Sequence, residues 1–446
     1  MKPIVALVGR PNVGKSSIFN RLTRTRDAIV DNMPGVTRDR IYGDVRWDDA
    51  AFTLVDTGGY LPQDAERFAG EIRRQIDQAV AAADAVVLVL DGRAGISPFD
   101  ADMIEMLRTA EKPVFYAVNK IDGPEAEDLI HEFYALGIDP LYPLSASHGY
   151  GVNDFMDDLT AALPAVGEPE GPADAIRIGV VGRPNVGKSS LINRILGEER
   201  LVVSDVPGTT RDAIDTLCVV DGVTYRLVDT AGIRRKSRVS ARLEKFSVVK
   251  ALKTLDRCDV ALVVMDAAEG VTEQDVSIGG YALERGCAVV LLLNKWDIVE
   301  KDDRTAKRLK DRLRDQAKFL SFAPSMTISA LTGRRVPRIF ALVGEVYEQY
   351  VRRIGTGQLN RVLVEATRRN EPSLHKGRRL KFYYASQVAT RPPTFVIFVN
   401  HPEAVHFSYQ RYLANQFREA LDFTQTPVRL IFRQRTGRPL AERRSG

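Results

Sequence analysis

The sequence predicts an α/β chain: two tandem copies of a mixed, mostly parallel sheet with helices on both faces, followed by a smaller α+β domain. Three observations carry this. The octapeptide GRPNVGKS occurs at 9–16 and again at 182–189, each time directly after a short apolar run. Within each copy, continuous apolar runs such as 4–8 and 114–118 alternate with helix-length segments, the pattern of parallel strands covered on both faces. Beyond residue 352 the pattern changes to alternating strands and amphipathic helices in a strongly basic background.

Later motifs recur in the same order and at nearly the same offset, as a duplicated domain requires. The first octapeptide is followed by PGVTRD (34–39), DTGG (56–59), NKID (119–122) and SAS (145–147). The second is followed by PGTTRD (207–212), DTAG (229–232), NKWD (294–297) and SAL (329–331). The second copy is longer mainly through the charged stretch 301–318, where Leu309, Leu313 and Phe319 predict an exposed helix with one narrow apolar stripe. Between the copies, PAVGEPEGPADA (164–175) has the composition of a linker. The expected domains are therefore 1–163, 176–352 and 353–440, with a tail at 441–446.

In the last domain Leu359, Val362, Leu363 and Ala366 mark a helix face. Leu380, Phe382 and Tyr384 alternate as a strand, and 394–399 is a second strand. Ser408 is placed to cap a helix over 409–421, and Val428, Leu430 and Phe432 alternate as a third strand. The order is α-β-β-α-β.

Composition narrows the function classes. The 446 residues exceed what one core usually organises. Apolar runs at 85–90, 260–265 and 288–293 are far shorter than the ~20 residues a membrane span needs. Residues 3–8 lead straight into the glycine loop without a signal-peptide core, so a cytoplasmic protein with no membrane partner is expected. Cys218, Cys258 and Cys287 lack metal-ligand spacing and read as free buried thiols. The net charge of +5 hides an asymmetry: residues 352–446 hold 18 basic and 6 acidic residues, a surplus of +12, which leaves the remainder at −7. The basic end is a candidate nucleic-acid surface.

The motifs specify their chemistry. A G-x-x-x-x-G-K-[ST] loop curls backbone N–H groups around phosphate oxygens, extends a lysine to the terminal phosphates and offers a hydroxyl to Mg²⁺. Gly9, Arg10, Pro11, Asn12, Val13, Gly14, Lys15 and Ser16 supply these parts, as do Gly182, Arg183, Pro184, Asn185, Val186, Gly187, Lys188 and Ser189. Lys15 and Lys188 are expected to act on the β and γ phosphates, and Ser16 and Ser189 to ligate Mg²⁺. Asp56 and Asp229 end apolar strands and suit a carboxylate on the Mg²⁺ side. The turns that follow, Thr57, Gly58, Gly59 and Tyr60 in one copy and Thr230, Ala231, Gly232 and Ile233 in the other, bring a glycine N–H to the γ phosphate. Thr37 and Thr210 lie in the segment expected to close over Mg²⁺ when γ phosphate is present.

The base is read by Asn119, Lys120, Ile121 and Asp122, and by Asn294, Lys295, Trp296 and Asp297. A carboxylate at Asp122 or Asp297 accepts the ring N–H and the exocyclic amine of guanine; adenine offers neither and leaves the charge unpaired. GTP and GDP are the expected ligands. Asn119 and Asn294 are expected to complete the base contacts. Ser145 and Ala146, with Ser329 and Ala330, bring a backbone N–H to the guanine oxygen.

One part is missing. Many GTPases place a glutamine after D-x-x-G to orient the attacking water, whereas this chain has Tyr60 and Ile233. Water is then positioned by backbone, by a switch residue, or by an added cation or partner. Arg38 and Arg211 are nearby cations with either a catalytic or a structural role. The basic run Ile233, Arg234, Arg235, Lys236 stands where the first copy has Tyr60, Leu61, Pro62 and Gln63, so the two switches are not equivalent.

The motif order, with Asn12 and Asn185 in the loops and hydrophobic residues after D-x-x-G, resembles the Era-like branch of translation-factor-related GTPases. Tandem copies joined by an acidic linker and followed by a small basic domain resemble the Der (EngA) family over nearly the whole chain. The resemblance implies two P-loop GTPase domains, a KH-like C-terminal domain, and an enzyme that hydrolyses GTP during maturation of the large ribosomal subunit, with rRNA and ribosomal proteins as partners and a monomeric state. It also implies that Asn12 and Asn185 help hold K⁺ in place of the missing glutamine. The chain departs from a KH domain's G-x-x-G clamp at His375, Lys376, Gly377, Arg378 and Arg379. Docking on structured RNA through Arg378, Arg379, Lys381, Arg391, Arg433 and Arg435, or packing on a GTPase domain, fits better. Two other readings stand beside this one: one domain serves as a regulatory nucleotide sensor, or the chain is a translation- or tRNA-related GTPase.

Overall fold

The structure is a computed structural model. It describes residues 2–23, 42–47, 50–57, 76, 79–81, 83–164, 174–197, 202–207, 214–230, 248–300, 305–372 and 379–434. Contacts divide the chain into two compact units, Met1–Pro169 with Ser247–Asp256, and Glu170–Phe246 with Arg257–Gly446. Most of the linker, the 441–446 tail, the stretch 34–39 and the run 233–236 lie outside the described residues.

The first sheet contains β1 (Ile4–Val8), β2 (Tyr42–Trp47), β3 (Ala50–Asp56), β4 (Ala85–Asp91), β5 (Val114–Asn119) and β6 (Leu141–Leu144), in the order β2-β3-β1-β4-β5-β6. β2 runs antiparallel to β3, and the remaining pairs are parallel. Every residue of β1 and β4 is buried, which is why their sequences are apolar without alternation. β1 lies between β3 and β4, where the strand order reverses, so the crevice beyond its carboxyl end is the natural ligand site. From that end the chain enters the first glycine loop and α1 (Lys15–Thr23), which buries Ile18, Phe19 and Leu22. α2 (Pro98–Arg108) begins with a reciprocal cap: Asp100 N–H donates to Ser97 Oγ, and Ser97 N–H donates to Asp100 Oδ2. A 3-10 helix (Pro124–Leu136) and α3 (Val152–Ala161) complete this part.

The second sheet repeats the plan with β7 (Ile176–Val181), β8 (Val202–Pro207), β9 (Ile214–Val220), β10 (Val223–Val228), β11 (Val260–Asp266), β12 (Ala288–Asn294) and β13 (Ser325–Thr327), in the order β13-β12-β11-β7-β10-β9-β8. β9 and β10 form a hairpin closed by Asp221 and Gly222, both at positive φ (49° and 81°), the backbone that an Asp-Gly hairpin turn adopts. The helices that follow in the chain are α4 (Lys188–Leu196), α5 (Val248–Arg257), α6 (Glu273–Glu284), α7 (Thr305–Gln316) and α8 (Arg338–Val351), of which α5 up to Asp256 belongs to the first compact unit. α7 is the helix expected within 301–318, and its single buried residue is Leu313. Cys218, Cys258 and Cys287 are buried thiols outside any disulfide, as expected.

The C-terminal elements are α9 (Thr356–Arg369), β14 (Phe382–Thr390), β15 (Pro393–Val399), α10 (Phe407–Ala420) and β16 (Arg429–Gln434). This is the expected α-β-β-α-β order, with β14 antiparallel and β16 parallel to the central β15. Leu359, Leu363, Leu413 and Phe417 from the two helices pack on Ala385, Phe395 and Ile397 of the sheet. The cap of α10 differs from expectation. His406 is the N-cap, its Nδ1 accepting from Ser408 N–H at 3.4 Å, so Ser408 lies inside the first turn. Among the described residues no helix is long and apolar enough to cross a membrane.

Phe395 meets Phe417 edge-on at 5.4 Å and Phe423 at 5.8 Å, and is fully buried. Phe395→Ala is expected to destabilise this domain by about 3–5 kcal/mol. The change should be read as a lower denaturant midpoint for the transition reported by domain-specific fluorescence. An unchanged midpoint would refute this core.

Candidate functional site

The glycine loops are shaped by two close approaches. A Cβ on Gly9 would lie 2.5 Å from the carbonyl oxygen of Val89, and one on Gly14 would lie 2.2 Å from Nδ2 of Asn119. In the second copy the distances are 2.4 Å from Val264 O to Gly182 and 2.3 Å from Asn294 Nδ2 to Gly187. Gly14 and Gly187 also take φ of 96° and 95°, a region that favours glycine. Asn12 and Asn185 occupy the left-handed region at 65° and 61°, which asparagine tolerates better than most residues. Pro11 and Pro184 precede these asparagines, and Val13 and Val186 are buried beneath the loops.

Lys15 is 5% exposed and its Nζ donates to the carbonyl oxygens of Gly9 and Arg10, each at 2.7 Å. Burial pulls its pKa down to about 8, against a smaller opposing effect of the Asp56 charge. Lys188 makes the matching bond to Arg183 O at 2.7 Å. Each lysine thus arches back over its own loop, where the oxygens of an incoming phosphate can accept its N–H bonds in place of the carbonyls.

The loop arginines point elsewhere. Arg10 donates to Gly95 O at 2.8 Å and approaches Asp100 at 3.7 Å; Arg183 pairs with Asp275 at 3.0 Å and Glu269 at 2.8 Å. Their guanidinium groups anchor the phosphate loops to α2 and α6 and the segments leading into them.

Ser16 Oγ donates to Asp56 Oδ2 at 2.7 Å, bringing together the hydroxyl and carboxylate expected on the Mg²⁺ side. Thr57 Oγ1 donates to Leu7 O, tying the start of the turn back to β1. The second copy is built differently. Asp229 takes φ of 59°, and its N–H donates to Asp215 Oδ1 at 3.1 Å. Asp215 is fully buried and also binds Arg226 and Arg257, each at 2.6 Å, while Thr230 shares a hydroxyl bond with Thr216. This cluster was not anticipated. Its one sequence signal is that the first copy carries Tyr42 and Thr53 where the second has Asp215 and Arg226.

Asn119 ends β5 and Asn294 ends β12. Asn119 Nδ2 donates to Val13 O at 2.9 Å, and its Oδ1 accepts from Ala146 N–H at 3.0 Å. The second copy repeats both, at 2.8 Å to Val186 O and 2.9 Å from Ala330 N–H. Each asparagine thus bridges two loops, and each alanine N–H bonds to its amide oxygen. The physical reason is that each asparagine is buried (3% and 2% exposed), so both halves of its amide require partners within the protein.

Lys120 and Lys295 sit at φ of 73° and 61° and pair with Asp91 at 2.5 Å and Asp266 at 2.6 Å. Burial opposes ionisation of both aspartates, but the lysines and adjoining backbone N–H groups outweigh it and hold them below the usual carboxylate range. Ile121 and Trp296 are buried beneath the motif, with their N–H groups bonded to Leu144 O and Ile328 O. Asp122 accepts from Ser145 Oγ at 2.6 Å, faces His148 Nδ1 at 3.1 Å and pairs with Arg93. Its pKa is lowered, first by the Ser145 bond and then by His148, Arg93 adding its charge. Asp297 Oδ1 is buried without a hydrogen-bond partner, and Ser329 Oγ accepts from Thr332 N–H. Thr37, Gly58, Gly59 and Tyr60 lie outside the described residues, as do Thr210, Ala231, Gly232 and Ile233, and Arg38 and Arg211.

Two phosphate loops at sheet switch points, each laced by asparagine to a carboxylate-bearing base loop, define a tandem P-loop GTPase. Known proteins place it more closely. A family model described as "50S ribosome-binding GTPase" matches residues 4–120 and 177–295, and one described as "KH-domain-like of EngA bacterial GTPase enzymes, C-terminal" matches 353–433. GTPase Der of Desulforapulum autotrophicum is 56% identical, covering 98% of this chain and 92% of that protein. GTPase Der of Syntrophobacter fumaroxidans is 52% identical, with 97% and 99% covered. The chain belongs to the GTPase Der family, whose members are GTP-hydrolysing enzymes.

The state of Lys15 gives this site a pH signature. Burial holds the Lys15 pKa near 8 and an adjoining phosphate raises it, so nucleotide binding takes up a proton above about pH 8 and weakens as pH rises further. Titration calorimetry of the Lys188→Ala chain at pH 9, in buffers of different ionisation enthalpy, should show this uptake. A heat independent of buffer would contradict it.

Proposed function

We propose that this GTPase acts as a nucleotide-controlled switch in maturation of the large ribosomal subunit, working in the cytoplasm as a monomer through rRNA and ribosomal proteins. The observation that carries the reading is the C-terminal domain: Arg353, Arg361, Arg379, Lys381, Arg391 and Arg433 are exposed on it, a surface suited to phosphate backbones. The family model's description as ribosome-binding supports the same partner. In this reading residues 1–163 and 176–352 are the two GTPase domains and 353–440 the docking domain. The phosphate loops and base loops hold GTP and GDP.

Mg²⁺ fits the first site, where Ser16 and Asp56 already converge; Thr37 completes the set, with Ser189, Asp229 and Thr210 in the second. When bound, the ion neutralises charge on the terminal phosphates. Lys15 and Lys188 orient the same phosphates and stabilise the charge that develops as the γ-phosphoryl group leaves. A K⁺ ion beside Asn12 and Asn185 belongs to the proposal because Tyr60 and Ile233 have no water-orienting amide.

A second reading, in which one domain is a nucleotide sensor with negligible turnover, is favoured by the difference between the Ser16–Asp56 pair and the Asp229–Asp215 arrangement. Single-turnover assays decide between them. Lys15→Ala and Lys188→Ala are each expected to lower hydrolysis at their own site about 10²-fold or more, and equal losses of total activity would exclude the sensor. Sedimentation with large ribosomal subunits, with GDP or a non-hydrolysable GTP analogue at two salt concentrations, tests the partner. Nucleotide-independent association would count against the switch.

A further inference from the structure

The two base pockets carry the same motif but different neighbours. In the first, both oxygens of Asp122 are engaged: Oδ1 by Ser145 Oγ and His148 Nδ1, Oδ2 by the guanidinium of Arg93. Arg93 stands two residues after Asp91 and His148 three after Ser145; the corresponding positions in the second copy are Ala268 and Thr332. Neither can pair with a carboxylate as a cation. Asp297 Oδ1 is accordingly buried and without a partner.

Guanine recognition through this motif needs the carboxylate oxygens for two N–H donors of the base. At the second site they meet an acceptor that is already desolvated and waiting. At the first site they must displace a charge-assisted contact. The side chains of Arg93 and His148 are 66% and 65% exposed, so both can swing into solvent, and the displacement is reversible.

We propose that Arg93, seconded by His148, is an internal competitor for the guanine edge that makes the first site bind and load guanine nucleotide more weakly and slowly than the second. This rests on the reading of Asp122 and Asp297 as the guanine-recognising carboxylates. Arg93 acts through Asp122 and is a positioning residue, without contact to the reacting phosphates. Because the exposed pair is screened by salt, the difference between the sites narrows as ionic strength rises.

The test uses the full-length chain and a fluorescent N-methylanthraniloyl GDP. With the second site silenced by Lys188→Ala, Arg93→Ala is expected to tighten binding about 2–5-fold, chiefly through faster association, and Arg93→Lys to restore most of the competition. With the first site silenced by Lys15→Ala, Ala268→Arg should weaken the second site by a similar factor. A structural role for Arg93 would not predict the third arm: in an Asp122→Asn, Lys188→Ala chain probed with the xanthosine diphosphate analogue, Arg93→Ala should have no effect, because the amide no longer attracts the cation. Unchanged or weaker GDP binding by Arg93→Ala, or an equal change in the xanthosine arm, overturns the proposal. Failure of the unaltered chain to bind GDP would instead overturn the guanine reading on which it rests.

Discussion

The side-chain amide at the end of the fourth parallel strand of each repeat holds two loops in a fixed relation. Asn119 and Asn294 each donate to the phosphate loop and accept from the loop after the next strand. Losing either half would leave a buried polar group unpaired, at about 1–3 kcal/mol. The amide also excludes any side chain at Gly14 and Gly187, so it fixes the left-handed turn through which the loop passes into α1 or α4. Phosphate cradle and base pocket are therefore set by one residue, and the sheet beneath them supplies the rigidity.

On that shared frame the copies diverge in their electrostatics. In the first, Ser16 and Asp56 meet, and the Asp122 carboxylate is surrounded by donors. In the second, the aspartate that follows β10 is turned into the left-handed region and its N–H is tied to Asp215, which in turn pairs with the buried Arg226 and the half-buried Arg257. Removing Asp215 would take a carboxylate from both Arg226 and Arg257 and the acceptor from Asp229 N–H, breaking a buried ion-pair cluster at a destabilising cost. Identical octapeptides thus feed unlike surroundings.

Much of this was legible in the sequence for simple reasons. Strands buried on both faces have no room for polar residues, so β1, β4, β11 and β12 appear as unbroken apolar runs. Glycine loops must be glycine where backbone or amide comes within 2.5 Å of a would-be Cβ. What was not legible depends on partners distant along the chain. Nothing local to the phosphate loop announces that Arg10 bonds to Gly95 O, or that the Ala146 N–H donates to Asn119. Ser408 carries the better cap side chain, yet His406 has the geometry. Asp215 becomes functional only because a hairpin and a helix bring Arg226 and Arg257 to it. Pattern identifies residues whose role is local; these roles are fixed by topology.

The passage from α8 to α9 has a different kind of consequence. Only Arg352, Arg353, Ile354 and Gly355 separate the second nucleotide-binding sheet's last helix from the basic domain. Their backbone and neighbours are tied across it: Arg352 pairs with Asp422, its carbonyl accepts from Gln387, Ile354 N–H donates to the same glutamine, and Gln349 accepts from Gln425 N–H. A reporter or longer tether spliced in at 352–355 would cut the stitches made by Arg352 and Ile354, so this passage can absorb little new length.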